Sequence, residues 1–206
     1  MSKDPDDITI EEVFPGSFIF VQNNALSKTL CEKIIQKFED DKENQYVGFV
    51  GPQGGNKIDR SLKRTTDLFL SVANGWEDID AEIFQSFQKT LLKFSKMYPY
   101  FERIGPQDKG YRISRTEAGD FYNWHVEADA PGYCDRQLVA LWYLNDIESP
   151  GGETEFKYQD IKISPQQGTL VLFPAIWTHE HRGCKVQNGT KYVLATWVIF
   201  NEEAYT

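Results

Sequence analysis

The sequence has few cysteines, few histidines and no long apolar run. Its three cysteines are widely spaced and form no CxxC or CxxH pattern, which argues against a disulfide framework. No stretch approaches about 18 consecutive apolar residues, and the acidic first residues contain no apolar core, so we expect neither a membrane span nor a secretory signal. These absences favour a cytoplasmic location, where cysteines stay reduced.

Positive charge is also scarce, since 22 basic residues stand against 31 acidic ones and the net charge is −9. Such a chain offers no general basic surface to phosphate backbones or anionic lipids. We therefore expect neither a nucleic-acid partner nor a membrane partner. A small cluster of basic residues, Arg60, Lys63 and Arg64, is interpreted as a solvated face.

The two halves of the chain have different hydrophobic patterns. Spacings of three and four predict one helix after Ser27 and a second over residues 78–97, while residues 13–21 predict a short apolar strand broken by Pro15 and Gly16. From Tyr111 onward, short runs rich in β-branched and aromatic residues predict strands with no room for helices between them. We predict a single domain over residues 1–206 of α+β, mainly β class. A helical front with supporting strands spans 1–104, and a double-stranded β-helix (jelly roll, cupin-like) core spans 105–206.

All three histidines lie in the β-rich half, at positions 125, 179 and 181. His125 and Glu127 are two residues apart, so in a strand their side chains point to one face and can bind one ion together. A third ligand from a later strand would complete a facial triad of two histidines and one carboxylate, the arrangement of non-haem Fe(II) oxygenases. We therefore interpret the chain as an enzyme.

Periodicity leaves two alternatives open. His179 and His181 share a strand face, so either of them could be the third ligand. Asp129 competes with Glu127 as the carboxylate, but its spacing from His125 suits a helix, which the nearby Pro131 and Gly132 disfavour. Glu127 is the preferred carboxylate.

Residues 111 to 200 resemble the Fe(II) and 2-oxoglutarate dependent dioxygenases of the prolyl 4-hydroxylase type. The resemblance rests on five segments in the order of that family: GDFYNWHVE, RQLVALWYLND, GGETEF, SPQQGTLVLFP and the stretch after the second histidine. In the last segment, Val186, Gly189 and Lys191 match the family's register when it is counted from His181 and not from His179. The resemblance thus implies that His125, Glu127 and His181 are catalytic metal ligands.

The same resemblance implies the cofactors Fe(II), 2-oxoglutarate and O2, with ascorbate as a further candidate. It implies that Lys191 pairs with the far carboxylate of 2-oxoglutarate, which suits the need of a buried dicarboxylate for a cation. Tyr143, in the YLN segment, is the expected hydroxyl partner of that carboxylate. Thr116 stands where the family often has a tyrosine, so Tyr111, Arg115 and Arg136 are further candidates for the pocket wall.

The resemblance implies hydroxylation of an unactivated C–H bond, with succinate and CO2 as co-products. Its implied substrate is a small molecule or a peptide, either peptidyl proline or a small amino-acid-like compound. One alternative is a cupin-like metal enzyme that does not use 2-oxoglutarate, in which Lys191 would have no task. A second is a non-catalytic β-sandwich binding module whose histidines only pack.

Overall fold

The computed structural model describes residues 8–51, 57–148 and 150–200. Its helices are α1 (Lys28–Asp40), α2 (Glu77–Met97) and α3 (Pro99–Ile104), with short 3-10 turns at Leu70–Val72 and Trp177–His179. The strands are β1 (Glu11–Glu12), β2 (Phe20–Gln22), β3 (Tyr46–Val47), β4 (Thr66–Phe69), β5 (Gln107–Asp108), β6 (Arg112–Glu117), β7 (Tyr122–His125), β8 (Arg136–Tyr143), β9 (Thr154–Phe156), β10 (Ile161–Ile163), β11 (Leu170–Pro174), β12 (His181–Gly183) and β13 (Thr190–Ile199).

The strands form two sheets with antiparallel pairing. The major sheet has the order β1-β2-β11-β8-β13-β6-β4-β3, with β5 paired to β13, and the minor sheet has the order β10-β9-β12-β7. Every pairing between neighbouring strands is antiparallel, as the absence of crossover helices predicts. The major sheet contains β1 to β4 from the N-terminal half of the chain together with later strands, so it joins the N-terminal half to the β-rich half.

The two faces of the major sheet bury different partners because side chains alternate along each strand. Trp142 on β8 and Leu194 on β13 face the helices, where the Phe87 and Trp142 rings meet edge to face at 5.0 Å. Tyr143 follows Trp142 by one residue and Trp197 follows Leu194 by three, so both face the other side of the sheet. They belong to a second core, which also contains Phe156 of the minor sheet. This inner layer between the two sheets holds the candidate site.

Two details differ from the sequence-based expectation. Residues 13–21 do not form one strand: β2 begins only at Phe20, and Gly16 in the preceding turn has a φ of +84°, which is outside the extended region. The expected end of α2 at Tyr98 is found, but Pro99 then starts α3, as proline suits the first turn of a helix. Residues 1–7 and 201–206 of the predicted single domain lie outside the described residues. Among the helices described, none combines the length and the apolar character that crossing a bilayer requires.

Candidate metal centre

His125, Glu127 and His181 come together between the two sheets. His125 ends β7, Glu127 follows two residues later, and His181 begins β12, directly opposite His125 in the antiparallel pair. Their candidate ligand atoms all lie within 4.8 Å of one another. Local strand geometry thus brings the HxE pair together, and pairing of β7 with β12 supplies the third group.

Backbone carbonyls orient both imidazoles. His125 Nδ1 lies 2.8 Å from the Asn123 carbonyl oxygen, and His181 Nδ1 lies 2.9 Å from the His179 carbonyl oxygen. A carbonyl only accepts hydrogen bonds, so each Nδ1 carries the hydrogen and each Nε2 presents a lone pair. This is the arrangement that fixes the tautomer of metal-binding histidines.

The contact between the His125 and Glu127 side chains indicates that these residues are suited to bind a cation. His125 Nε2 and Glu127 Oε1 are 3.2 Å apart. With Nδ1 protonated, both of these atoms are acceptors, and two acceptors at this distance repel unless a proton or a metal ion lies between them. A set of two imidazole nitrogens and a carboxylate is suited to a divalent transition metal.

Glu127 is held as a carboxylate from its other side. Oε2 accepts hydrogen bonds from Arg136 at 3.0 Å and from the indole of Trp197 at 2.9 Å, and Arg136 also donates to the Glu127 backbone carbonyl at 2.8 Å. Burial by itself would raise the pKa of Glu127, but its close contact with the His125 imidazole and the neighbouring charges of Arg112 and Arg136 lower it well below its usual value. Glu127 therefore stays ionised and aimed at the site.

His181 is the most deeply buried of the three groups. Burial, reinforced by the adjacent His125, lowers the pKa of the His181 imidazole to about 3. The ring is accordingly neutral at physiological pH, as a metal ligand must be. Phe173 packs against it edge to face, with ring centroids 4.7 Å apart.

The two competing residues lie outside this cluster. The side chain of His179 is directed elsewhere: its Nε2 donates to the Ser17 carbonyl oxygen at 2.9 Å and its Nδ1 contacts the Thr178 hydroxyl. Asp129 is exposed at the rim of the neighbouring cleft. A 3-10 turn ending at His179 breaks the strand periodicity, which is why the two histidines do not share a face.

Lys191 and Tyr143 lie together in the inner layer. Lys191 is 5% exposed, its ammonium lies 5.4 Å from the centre of the Tyr143 ring, and no hydrogen bond within the described ranges engages that ammonium. Burial lowers the pKa of Lys191 to about 8. Because a buried charge needs a partner, this ammonium is suited to an anionic ligand.

One strand connects this lysine region to the metal cluster. The Tyr143 hydroxyl donates to Thr154 Oγ1 at 2.7 Å, while Phe156 on the same strand pairs with His181. Two residues of a strand span about 7 Å, so the two regions are neighbours. A five-carbon dicarboxylate has a suitable length to reach from one to the other.

The other residues that were predicted to line the pocket lie in different parts of the structure. Arg136 lines the cleft beside the cluster, whereas Arg115 is paired with Glu39 and Tyr111 lies in the helix-facing core. The interpretation of Lys63 as part of a solvated face is wrong. That side chain is 1% exposed and bonds Asp67 at 2.6 Å, because β4 and the loop before it fold over the inner layer.

Sequence reasoning left Trp197 open between core packing and pocket wall, and it did not single out Arg112. Trp197 is six residues after Lys191 on β13, so period-2 alternation places both on the same face and could have indicated its role. Arg112 lines the same cleft as His125 and Glu127, a space of about 210 Å³. Its position depends on the pairing of β6 with β13 and β4, and no local sequence signal encodes these pairings.

Residues 111–199 match the model of the 2OG-Fe(II) oxygenase superfamily. A PKHD-type hydroxylase of Synechococcus sp. (strain CC9902) is 29% identical over 91 residues, which cover 42% of this chain and 39% of that relative's length. The matched part thus spans well under half of the curated relative.

Solved structures of prolyl hydroxylases share the fold at low identity. The viral collagen prolyl hydroxylase of Paramecium Bursaria Chlorella virus-1, in a 2OG complex, has a TM-score of 0.67 at 18% identity, covering 92% of this chain and all of that one. A Pseudomonas putida prolyl-4-hydroxylase gives 0.67 at 16%, covering 89% and 93%. A Trichoplax adhaerens prolyl hydroxylase in complex with a hypoxia inducible factor peptide fragment gives 0.71 at 16%, covering 92% and 86%.

These likenesses confirm the predicted double-stranded β-helix fold with N-terminal helices. The match over residues 111–199 agrees with the predicted enzyme class and with the predicted Fe(II), 2-oxoglutarate and O2, while ascorbate stays a prediction. Residues 111–199 thus resemble the 2OG-Fe(II) oxygenase superfamily, and the chain is prolyl hydroxylase-like in fold.

Proposed function

We propose that this protein hydroxylates an unactivated C–H bond of peptidyl proline or of a small amino-acid-like substrate, with succinate and CO2 as co-products. The observation that carries the proposal is the cluster of His125, Glu127 and His181, whose ligand atoms lie within 4.8 Å of one another. The buried Lys191 ammonium, which can donate hydrogen bonds to the far carboxylate of a dicarboxylate, supports the use of 2-oxoglutarate.

In this proposal, the two imidazole Nε2 atoms and Glu127 Oε1 would hold Fe(II). Bound together, Fe(II), 2-oxoglutarate and dioxygen supply the oxidising power for C–H hydroxylation. Arg136 and Trp197 keep the carboxylate in place by occupying its second oxygen, so that Oε1 stays directed at the metal. No side chain is required as a general base.

Lys191 and Tyr143 are proposed to bind the far carboxylate of 2-oxoglutarate. An ammonium in this dry environment interacts strongly with an anion, because little water competes for it. The Tyr143 hydroxyl already donates a hydrogen bond to Thr154. To bind 2-oxoglutarate, this hydroxyl would have to turn toward the carboxylate, or the Tyr143 and Thr154 hydroxyls would have to bind the carboxylate together. The cupin-like alternative without 2-oxoglutarate leaves Lys191 with no function and is not favoured.

The remaining proposals concern the setting of the enzyme. We propose one domain over residues 1–206 that works in the cytoplasm, without a nucleic-acid or membrane partner. Cys31, Cys134 and Cys184 are all free thiols in the structure, which is consistent with a reducing compartment.

The test is to measure succinate formed from 2-oxoglutarate in air, with and without Fe(II). The wild-type protein should form succinate only with the metal, because substrate-independent turnover is expected from a loaded centre. His181→Ala should abolish turnover and metal retention, whereas His179→Ala, which removes the bond to Ser17, should impair both less. The opposite ranking, or equal metal retention in wild type and His181→Ala, would contradict the proposed ligands.

A further inference from the structure

Arg112 is a cation beside the candidate metal centre that the roles proposed above do not use. It starts β6, and its guanidinium lies 4.9 Å from the centre of the Trp197 ring, the same indole that bonds Glu127. It lines the cleft of about 210 Å³ that His125 and Glu127 also line. Arg112 is therefore within reach of a molecule bound next to the metal.

The hydrogen-bonding capacity of Arg112 is unused. Its Nε is buried without a hydrogen-bond partner, and no hydrogen bond in the described part of the chain engages any atom of its guanidinium. The nearest carboxylate oxygen, Asp67 Oδ2, is 4.0 Å from Nε and already receives a bond of 2.6 Å from Lys63. A guanidinium offers five donors, so this one is available for a ligand.

The charges around the cleft leave an excess of positive charge. Among the residues that the structure describes, Lys63, Arg112 and Arg136 face two buried carboxylates, Asp67 and Glu127. Asp129 lines the cleft as well, but it is exposed at the rim, where water screens it, and no ion pair links it to Arg112. A divalent metal and a dicarboxylate would cancel each other, so the local excess persists in the loaded enzyme.

We infer that the substrate carries a carboxylate and that Arg112 binds it, so that the cleft selects anionic substrates. This inference rests on the proposed function. The pairing would use the flat fork of donors that suits carboxylates. The cleft is small and has aromatic and apolar walls that would enclose the rest of such a molecule: Phe49, Leu62, Tyr122, Trp124 and Tyr133.

The carboxylate could belong to a free amino acid or to a peptide, and the test separates the two. Protein loaded with redox-inactive Mn(II) and saturating 2-oxoglutarate is titrated with the twenty common L-amino acids and with their C-terminal amides. A second arm uses blocked tripeptides with a central Asp or Glu and their Asn or Gln counterparts. Broadening of the ligand proton signals by Mn(II) reports binding next to the metal.

We expect at least one acid to bind about 10- to 100-fold more tightly than its matched amide, because a charged hydrogen bond is lost in the amide. Preference for free acids identifies an amino-acid substrate, and preference for Asp or Glu tripeptides identifies an acidic peptide. Arg112→Gln should remove the preference, Arg112→Lys should keep part of it, and Arg103→Gln, at an exposed site on α3, should not change it.

Equal binding of acids and amides in both arms, including no binding of either, would overturn the inference. So would an acid preference that survives in Arg112→Gln. The comparison of acids with amides in the wild-type protein does not depend on the folding of any variant. Failure of the proposed function is distinguishable, since the Mn(II)-loaded protein would then fail to bind 2-oxoglutarate itself.

Discussion

At the scale of single residues, the candidate centre depends on groups that bind no metal themselves. The backbone carbonyls of Asn123 and His179 set the imidazole tautomers, while Arg136 and Trp197 fix Glu127. Outer groups of this kind typically contribute 10- to 100-fold to metal affinity. The site should therefore be sensitive to substitutions one layer behind the ligands.

Trp197 offers a direct test of that sensitivity. Trp197→Phe keeps the aromatic packing but removes the hydrogen bond of 2.9 Å to Glu127 Oε2, so we expect Mn(II) affinity to fall about 10-fold or more. Trp142→Phe is the matched control, because the Trp142 indole is equally buried but its Nε1 has no partner. Equal Mn(II) affinities in a competition titration of the two variants would contradict the role of Trp197.

The titration of Lys191 gives a prediction for pH. Its pKa of about 8 means that the ammonium is charged below pH 8 and loses its proton above it. Affinity for 2-oxoglutarate in the Mn(II)-loaded protein should thus be constant below pH 8 and fall toward about 10-fold per pH unit above it. Lys191→Arg should remove the decline, because arginine stays protonated. Parallel curves for the two proteins, measured by calorimetry from pH 7 to 9.5, would show that another group is responsible.

Much of the centre could be predicted at this scale, since the HxE spacing and the register of the distal segment single out His125, Glu127 and His181. The structure brings these three together and directs His179 to Ser17. Arg112 and Lys63 could not be found in the same way. Their burial beside the cleft depends on the packing of β4 and β6, and that pairing leaves no trace in local periodicity.

At the scale of elements, amphipathic helices and alternating strands were predictable, but short turns were not. Ser27 caps α1 by accepting from the Leu30 amide at 3.1 Å, as its position before the apolar stripe indicates. The predicted β-rich runs each contain a strand, although β10, only three residues long, escaped detection, and β12 was expected only as the strand that carries the third ligand. β12 nevertheless carries His181, so pairing and not propensity creates this element.

Substitution of Gly168, just before β11, tests how tightly the turn there packs against the segment that contains Leu26. Gly168 has a φ of +80°, and a Cβ there would overlap the carbonyl oxygen of Leu26, whose own amide bonds the Gly168 carbonyl. Gly168→Ala should lower the free energy of unfolding by about 1–3 kcal/mol from backbone strain, and by more from this overlap.

The control is Gly16→Ala, where φ is similar but nothing lies within 4 Å of the added atom. The free energies of unfolding of the two variants, measured in denaturant, separate the cost of backbone strain from the cost of the steric overlap with Leu26. If the two substitutions cost the same free energy, contact with Leu26 does not limit this turn.

At the scale of the whole molecule, the candidate centre lies in the buried layer between the two sheets. His181, Lys191 and Glu127 are all buried there, so electrostatic interactions in that layer are weakly screened. The fold class was predictable because the β-rich half has no space for crossover helices. The mixing of β1, β2 and β4 into the major sheet was not, since it depends on pairings between distant residues, such as Val21 with Val171 and Thr66 with Arg115.

The central claim is that one buried site binds Fe(II) and 2-oxoglutarate together, and anaerobic titration of the Fe(II)-loaded protein with 2-oxoglutarate tests it most directly. We expect a visible metal-to-ligand charge-transfer band to appear and saturate. Lys191→Ala should need about 10- to 100-fold more 2-oxoglutarate for the same band, because the buried cation is gone. Lys185→Ala, at an exposed position on the same segment, should match the wild type. Absence of the band in folded, iron-bound protein would contradict the account.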